Sequence, residues 1–315
     1  MDGQPTKIAV VTVLFNSGNV LEGFFQSLDL QQDVNIQVYV IDNSKDYKDA
    51  QMSKRLAERF GIQAKVFHVG ENVGVAEGNN LGIRMALSDK CDFILLSNND
   101  IEILMPNVIS TLLGVLQFGG YSAATPRILT HGSDREIWFE RGRFSRFRGI
   151  TPHMRAGKKA GQPATATSII EYAPTCFMLL DSNVFVELGL MDSRYFVYYD
   201  DADFVWRMNL AGKKIVSVPA VEIWHKVSNS TGGGASEFSL YFNSRNRILF
   251  MRKHFRGMRL WAGISWFVTT RISKMILLTR SQRKAVVTGA LDGMKLGKEK
   301  SPGISNHGES GGVFV

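Results

Sequence analysis

The stretch Phe93-Ile94-Leu95-Leu96-Ser97-Asn98-Asn99-Asp100 decides how this chain folds. Its first half is a short apolar run bounded by polar residues, which is typical of a strand buried on both faces, as in a parallel sheet. Its second half places amide and carboxylate oxygens at the end of that strand, where open α/β sheets bind ligands. Asp100 is therefore expected to face a substrate or a metal ion, although Asn and Asp also serve as caps in an ordinary strand-to-helix turn.

Strand and helix patterns alternate on both sides of this stretch. Strands are predicted over Ile8–Phe15, Gln37–Asp42, Ala64–Val69 and Phe93–Asn98, and helices over Val20–Leu30, Lys48–Phe60, Val75–Leu87 and Pro106–Phe118. Further strands are predicted over residues 121–126, 169–180 and 213–218, followed by Val221–Trp224. Repeated βα units predict an α/β fold with a mostly parallel, doubly wound sheet flanked by helices.

Polar residues follow four successive predicted strands. Asn16 follows the first strand, Asp42-Asn43-Ser44 the second, Asn72 and Gly74 the third, and Asp100 the fourth. Each could be a cap when taken singly, but together they predict a binding site at one edge of the sheet. A dinucleotide-binding Rossmann fold would need G-x-G-x-x-G after the first strand, and that turn reads Phe15-Asn16-Ser17-Gly18-Asn19. We therefore set the Rossmann interpretation aside.

A run of acids forms a second cluster, in Tyr199-Asp200-Asp201-Ala202-Asp203. The dipole of a helix favours acids in its first turn, so capping alone could explain one or two of them but does not require three. Crowded carboxylates raise the pKa values of one another, which is one way a protein prepares a general base.

Composition and charge limit the class of protein. The 315 residues are 44% hydrophobic and 21% charged, which suits one large domain with an appendage or two domains. The cysteines, Cys91 and Cys176, lie in apolar contexts, so we expect a reducing compartment. Residues 1–7 show no signal-peptide pattern, and no apolar run reaches the ~18 residues that span a bilayer. These features predict a cytoplasmic protein.

The formal charge of +8 is unevenly distributed. Between residues 241 and 300 the acids are Asp292 and Glu299, whereas bases are frequent. This asymmetry predicts an anionic partner for the C-terminal part, such as membrane headgroups, nucleic acid or polyphosphate, although no known nucleic-acid motif accompanies it and we expect no nucleic-acid partner.

In their order and spacing, the motifs resemble the inverting glycosyltransferases of family 2, which have the GT-A fold, and most of all the rhamnosyltransferase-like bacterial members. The resemblance covers roughly residues 7–250. The matching motifs are Val11-Thr12-Val13-Leu14-Phe15-Asn16, Asp42-Asn43-Ser44, Asn72-x-Gly74-x-x-x-Gly78-x-Asn80, Asn98-Asn99-Asp100, Tyr199-Asp200-Asp201-Ala202-Asp203, and His225 with Ser230-Thr231-Gly232-Gly233.

This resemblance implies a role for each motif. Asp42 would accept a hydrogen bond from the base of a UDP- or dTDP-linked sugar. Asp100 and His225 would hold a divalent cation, Mn²⁺ or Mg²⁺, on the diphosphate, with Asn98 standing where the family has a first Asp. Asp201 would be the general base, and Asp200 would contact the acceptor. The residues assigned more generally to substrate binding are Asn16, Asn72, Gly74, Asn80, Asn98, Asn99, Cys176 and Arg245.

The extent of the resemblance, together with the change of composition after residue 250, predicts a division of the chain. Residues 1–250 would form the catalytic domain, residues 251–300 a basic amphipathic helical extension, and residues 301–315 a disordered tail. A Gly-rich loop over Ser228–Ser236 could close on the donor, and residues 135–162 would form a mobile excursion beside the cleft. The extension, with Trp261 and Trp266 among bases, would contact either the inner face of the cell membrane or a second copy of the chain.

The predicted function is transfer of a sugar, with rhamnose as one candidate, from a nucleoside diphosphate to a hydroxyl of a cell-surface glycan or polyprenyl-linked acceptor. The alternative is a non-catalytic glycan- or membrane-binding module that kept the fold.

Overall fold

A computed structural model describes residues 5–226 and 236–296, together with the backbone of residues 313–314. Residues 228–235 of the predicted Gly-rich loop lie outside the described residues. So does the predicted tail, apart from a two-residue strand, Val313–Phe314, that pairs antiparallel with the strand Ala64–His68.

The secondary structure alternates as the sequence predicts through the first half of the chain and becomes irregular in the second half. In chain order the elements are β1 (Lys7–Leu14), α1 (Gly18–Asp29), β2 (Asn35–Asp42), α2 (Lys48–Arg59), β3 (Ala64–His68), α3 (Gly74–Ser88), β4 (Phe93–Ser97), β5 (Ile101–Glu102), α4 (Val108–Gly119), β6 (Ala123–Thr130), β7 (Ile137–Phe139), β8 (Arg141–Gly142), β9 (His153–Met154), β10 (Ser168–Ile170), β11 (Phe177–Asp181), α5 (Asn183–Leu188), α6 (Asp200–Leu210), β12 (Ile215–His225), α7 (Glu237–His254), α8 (Gly257–Met275), α9 (Arg280–Leu296) and β13 (Val313–Phe314).

One large sheet forms the centre of the fold, in the order β10-β12-β6-β11-β4-β1-β2-β3-β13. β1 pairs in parallel with β2 and β4, and β2 pairs in parallel with β3. The apolar residues of β1 and β4, apart from the partly buried Val13 and Phe93, are fully buried because helices cover both faces of the sheet. The predicted α/β fold with a mostly parallel sheet is confirmed.

The second half of the sheet departs from the prediction in two places. The segment predicted as one strand over residues 169–180 is two strands, β10 and β11, since Pro174 lies between them and has no N–H for a ladder. The predicted segments 213–218 and 221–224 are one strand, β12, with an irregularity between Val218 and Glu222. β12 ends opposite β5, where His225 pairs with Ile101.

Close packing of α3 on β1 brings the start of α3 to the ends of the strands. A Cβ atom on Gly78 would lie 2.7 Å from Cγ1 of Val13, and one on Gly82 would lie 2.4 Å from Cγ1 of Val11. Only glycine permits this approach, which explains Gly78 of the Asn72–Asn80 motif, and Gly82 after it, in terms of packing.

The C-terminal helices form the predicted helical extension. The predicted boundary at residue 250 falls inside α7, which continues to His254. α9 packs closely on α7 at Gly289 and Gly293. A Cβ atom at either glycine would lie 2.3 Å from a carbonyl oxygen of α7, that of Tyr241 or Arg245 respectively, so only glycine fits there. Within residues 5–226 and 236–296, no helix is both long enough and apolar enough to cross a bilayer.

Candidate active site

A cavity of about 1080 Å³ opens at the carboxyl ends of the parallel strands. Its lining brings together residues that are distant in sequence, as the strand-end pattern predicts. The predicted site residues on its wall are Asn72, Gly74, Asn98, Asn99, Asp100, Cys176, Asp200, Asp201 and His225.

Asp100 and His225 meet on one side of this cavity. β5 and β12 pair directly after Asp100, and the N–H of Lys226 donates to the Asp100 carbonyl at 2.9 Å. This pairing places Nε2 of His225 3.2 Å from Oδ1 of Asp100, with both side chains buried. Trp138 packs edge-on against the imidazole, with ring centroids 4.5 Å apart.

The Asp100–His225 pair has the chemistry of half a metal site. Two ligands at right angles on an ion, each about 2.1 Å from it, lie about 3 Å apart, which is close to the observed separation. Among the described residues, no group of three or more His, Cys, Asp and Glu side chains could hold a metal ion. A cation held here would therefore need further oxygen ligands from substrate or water.

Asp200 and Asp201 open α6 on another part of the wall. The residues before them, Tyr198 and Tyr199, have φ angles of 63° and 66°, in a left-handed backbone region that residues other than glycine rarely adopt. The Asn246 amide of α7 stabilises this turn by donating to the carbonyls of Val197 and Tyr198 at 2.7 and 2.8 Å. Strained backbone held by its surroundings is typical of active sites.

The two adjacent acids differ in environment. Burial, with a smaller contribution from the charge of Asp201, raises the pKa of Asp200 to about 8. Burial also raises the pKa of Asp201, but a hydrogen bond from the Tyr172 hydroxyl to Oδ2 at 2.5 Å opposes that rise. The pair is thus arranged so that one carboxyl holds a proton at neutral pH while the other accepts hydrogen bonds.

Asp203 serves the fold and does not line the cavity. Its carboxylate is fully buried and accepts from Nε2 of His254 at 2.7 Å, from Nζ of Lys253 at 2.8 Å and from Nε of Arg207 at 3.1 Å. Burial alone would raise its pKa, but the hydrogen bond from His254 and the charge of Lys253 hold the pKa below its usual value. Asp203 therefore anchors α7 to the helix that carries Asp201.

The loop before α3 closes against the acid-bearing turn. Gly74 has a φ of +84°, and a Cβ there would lie 2.4 Å from the Phe196 carbonyl oxygen. The N–H of Gly74 donates to Oδ1 of Asn72 at 3.0 Å, and the N–H of Val75 donates to the Phe196 carbonyl at 2.7 Å. These contacts join the third strand end to the segment that leads into Asp201.

Other predicted site residues do not line the cavity. The carboxylate of Asp42 is fully buried and accepts from the N–H groups of Ser44 and Ala50 and contacts Nδ1 of His68 at 3.1 Å. The exposed Asn16 donates its backbone N–H to Ser44. Their neighbours Phe15, Ser17 and Asn43 lie on the wall instead.

Asn80 and Arg245 also make structural contacts away from the wall. The Asn80 amide exchanges hydrogen bonds of 2.9 Å with both backbone groups of Met191. The Arg245 guanidinium donates to the Arg194 carbonyl and lies over the Phe242 ring. Substrate binding by Asn16, Asp42, Asn80 and Arg245 therefore stays a prediction.

An aromatic row that the sequence does not point to completes the wall. Trp138 contacts His225 on one side and His153 on the other, and His153 stacks on Tyr172, which bonds Asp201. Trp138 and His153 belong to the segment predicted as a mobile excursion, whose residues Ile150 and Thr151 also line the cavity. The aromatic residues interspersed in this segment were the sequence feature that could have indicated its place on the cavity wall.

Cys176 lies between the two acidic clusters. Its carbonyl accepts from the N–H of Asn98 at 2.8 Å because β11 pairs with β4. Burial raises the pKa of the Cys176 thiol, and the nearby charges of Asp100 and Asp201 raise it further. The thiol is thus neutral and unsuited to act as a nucleophile, and substrate binding by Cys176, which lies on the cavity wall, stays a prediction.

Comparison with known proteins places this geometry in a family. Residues 9–185, more than half of the chain, match the sequence profile of Glycosyl transferase family 2. A curated relative, the low-salt glycan biosynthesis hexosyltransferase Agl10 of Haloferax volcanii, is 27% identical over 183 residues, which are 57% of this chain and 57% of Agl10. The chain thus matches little more than half the length of that relative.

Solved structures share the fold at low identity. A mannosyltransferase, PcManGT from Pyrobaculum calidifontis in complex with GDP-Man and Mn²⁺, is 12% identical with a TM-score of 0.57, over 94% of this chain and 88% of that chain. S. aureus TarS 1-349 in complex with UDP-GlcNAc is 12% identical with a TM-score of 0.58, over 92% of this chain and 81% of that chain. The predicted GT-A fold is confirmed, and by its sequence this chain belongs to glycosyl transferase family 2.

Proposed function

We propose that this protein transfers a sugar from a nucleoside diphosphate to a hydroxyl of an acceptor glycan, with inversion at the anomeric carbon. One observation supports the proposal most: the Asp100–His225 pair and the Asp200–Asp201 pair line the same cavity, although they lie far apart in sequence. In such a reaction one pair would hold a cation at the diphosphate, and the other pair would take the proton of the acceptor hydroxyl.

The negative charge of the cavity wall indicates that a cation would be needed to bind the diphosphate of the donor. The acidic residues on the described cavity wall are Asp100, Asp200 and Asp201, and the charges of Asp100 and Asp201 would repel a diphosphate. We therefore infer that Asp100 and His225 hold Mn²⁺ or Mg²⁺ against the diphosphate oxygens. When bound, the cation would offset the negative charge that builds on the leaving diphosphate. PcManGT is solved with GDP-Man and TarS with UDP-GlcNAc, which supports a nucleotide-sugar donor here. A UDP- or dTDP-linked sugar is the donor that we propose.

The proposed reaction uses Asp201 as general base. Asp201 accepts the proton of the acceptor hydroxyl, the hydroxyl oxygen forms a bond to the anomeric carbon, and the bond from that carbon to the diphosphate oxygen breaks. The electron pair of that bond leaves with the nucleoside diphosphate. Protonated Asp200 can donate a hydrogen bond to the acceptor. Rhamnose remains one candidate sugar.

A panel of UDP-glucose, UDP-GlcNAc, dTDP-rhamnose and GDP-mannose, each with MnCl₂ or MgCl₂, tests this proposal. We expect one nucleotide sugar to raise the melting temperature in a cation-dependent way, since a hundredfold excess over Kd adds about 2.7 kcal/mol of stability. Asp100→Ala should abolish the cation dependence, whereas Asp134→Ala, an exposed acid paired with Lys159, should keep it. Stabilisation by none of the four sugars, with either cation, would contradict the proposal.

We further propose that α8 contacts the inner face of the cell membrane, where a polyprenyl-linked acceptor would lie. α8 leaves large apolar side chains exposed: Met258, Trp261, Trp266, Val268 and Ile272, followed by Ile276 and Leu277. Basic residues surround them: Arg259, Lys274, Arg280, Arg283 and Lys284. Exposed Trp and aliphatic residues beside cations suit an anionic lipid interface.

The segment that contacts α8 also contributes to the wall of the cavity. Gly263 packs against the Phe147 backbone, and the Phe147 ring meets Trp266 with centroids 6.0 Å apart. Ile150 and Thr151, a few residues further along the chain, line the cavity. These contacts support the proposal that a lipid surface on α8 would present a lipid-linked acceptor to the cavity.

Cosedimentation with vesicles of phosphatidylglycerol and phosphatidylcholine tests the membrane proposal. The double variant Trp261→Ser, Ile272→Ser should bind such vesicles at least tenfold more weakly than the unsubstituted protein. Phe118→Ser is the matched control, because Phe118 is 91% exposed but lies on α4. Equal binding by the double variant and the control would contradict the proposal, and so would loss of a dimer in the double variant, which would assign the face to a second copy of this chain.

A further inference from the structure

The Asp201 carboxylate is held at both of its oxygens. Oδ2 accepts from the Tyr172 hydroxyl at 2.5 Å, and Oδ1 accepts from the N–H of Ala202 at 2.6 Å. The second bond belongs to the first turn of α6, so any acid at this position could make it. The first bond comes from the segment between β10 and β11, and it depends on Tyr172 alone.

Tyr172 is itself fixed in position by the segment that follows β6. Its backbone N–H donates to the Gly142 carbonyl at 3.2 Å, and a Cβ on Gly142 would lie 2.6 Å from the Tyr172 ring. The rings of Phe139, Phe144 and His153 surround the phenol with centroids 5.7 to 6.3 Å away. The phenol therefore has little freedom, and its hydroxyl is directed at Asp201 before any substrate binds.

We propose that Tyr172 is a positioning residue for the base: its hydroxyl keeps the Asp201 carboxylate ionised and oriented while the neighbouring Asp200 carries the proton. This inference rests on the proposed function, since it presumes that Asp201 is the base. Geometry supports it, because a phenol donates to an ionised carboxylate more strongly than to a neutral carboxyl. Asp200 has no such phenol partner among the described residues.

The charges around Asp201 agree with this division of roles. The titratable groups that face Asp201 and Asp200 from the surrounding elements are Tyr172, Cys176, His153, Tyr199 and Asp203. Burial lowers the pKa of His153, and its charge lowers the pKa of Asp201 less than the hydrogen bond from Tyr172 does. The Tyr172 hydroxyl is therefore the strongest influence that favours the ionised form of Asp201, and without it the proton would be divided more evenly between Asp200 and Asp201.

The variant Tyr172→Phe removes the hydroxyl and keeps the ring. We expect the acid limb of the kcat–pH profile to move upward by roughly one to two pH units, the range that corresponds to a hydrogen bond to a charged group. The direction follows because loss of a bond to the ionised form raises the pKa of the base. On the acid side of the limb, at a fixed pH, kcat should fall about tenfold for each pH unit of the shift, whereas donor Kd should stay within about twofold.

Tyr39→Phe is the matched control. The Tyr39 hydroxyl also donates to a carboxylate, Oδ2 of Asp89 at 2.6 Å, but neither residue lines the cavity. Release of nucleoside diphosphate from UDP-glucose, UDP-GlcNAc, dTDP-rhamnose and GDP-mannose serves as the assay. The control should keep the pH profile of the unsubstituted protein, so a shift confined to Tyr172→Phe supports the proposal.

The outcomes separate this inference from the proposed function. No turnover by the unsubstituted protein with any of the four sugars would refute the proposed function. Normal turnover together with an unshifted profile in Tyr172→Phe would refute only the role of Tyr172. If Tyr172→Phe does not fold, trifluorotyrosine at position 172 decides the matter: its more acidic phenol should move the acid limb downward, and an unmoved limb would overturn the proposal.

Discussion

Replacement of Asp203 by Asn tests whether this buried acid anchors the helix that carries Asp201. The side chain of Asp203 is fully buried, and three donors on α6 and α7 converge on it, among them the cations of Lys253 and Arg207. The substitution keeps the size of the side chain and removes its charge. Lys253, His254 and Arg207 would then lose the carboxylate that they share.

The expected loss of stability follows from these contacts. Removal of one partner of a buried ion pair costs about 3–5 kcal/mol. The lower end applies here because Lys253 also pairs with Asp192 at 2.7 Å and keeps that partner. At about 2–4 °C for each kcal/mol, a loss of about 3 kcal/mol lowers the melting temperature by roughly 6–12 °C.

The pH dependence gives a second signature. Because the pKa of Asp203 lies below its usual value in the folded protein, its contribution is present above the unfolded pKa of about 3.9 and is lost as pH falls through the folded pKa. The difference in stability between the unsubstituted protein and Asp203→Asn should therefore be full at pH 7 and shrink below about pH 4.

Urea unfolding and differential scanning calorimetry measure both effects. Asp134→Asn is the control, because Asp134 pairs with Lys159 at a site where its side chain is 79% exposed. An exposed pair contributes about 0–1 kcal/mol, so the control should melt within about 2 °C of the unsubstituted protein. A similarly small change in Asp203→Asn, or a difference that does not depend on pH, would refute the anchoring role.

Two further substitutions test the packing that shapes the cavity. Gly74→Ala should lower stability by about 2 kcal/mol or more and weaken nucleotide-sugar binding, because its Cβ would lie 2.4 Å from the Phe196 carbonyl oxygen at a positive φ; unchanged urea unfolding would contradict the described loop. Asn80→Ala should cost about 2–3 kcal/mol by leaving both backbone groups of Met191 without their amide partner, and a calorimetric loss under about 0.5 kcal/mol would assign Asn80 another role.

The strand-end edge could be predicted from sequence because its signals are local. Buried parallel strands have continuous apolar runs, and the polar residues that follow them share one edge by the topology of βα units. Asp100 lies on the cavity wall for this reason, three residues after the end of β4. Asp201 could be placed by its aromatic and acidic context.

Side-chain direction at the same edge could not be predicted. Asp42 also follows a strand, but its carboxylate turns into the fold and caps the turn before α2 through Ser44 and Ala50. The choice between capping and ligand binding depends on which N–H groups lie within reach, and that is set by tertiary structure.

Long-range contacts in irregular segments were also beyond sequence patterns. Tyr172 lies 29 residues before Asp201, in the segment between β10 and β11. Trp138 lies far from His225 in sequence, on β7, which has three residues and is too short to show a periodic pattern. The Gly and Arg content of residues 135–162 indicated a mobile excursion. Buried ion pairs of Arg127 with Glu140 and Glu222 instead fix its first half against β6 and β12.

The most direct test of the account is turnover by Asp201→Asn. Asn keeps the shape of the side chain but cannot accept the proton of the acceptor hydroxyl, so kcat for nucleotide-sugar transfer or hydrolysis should fall by about 10²–10⁴, while the Kd of the same nucleotide sugar stays within a few-fold. Full turnover by a folded Asp201→Asn protein would contradict the assignment of the base, and a protein that binds nucleotide sugars with no turnover in either form would be a binding module.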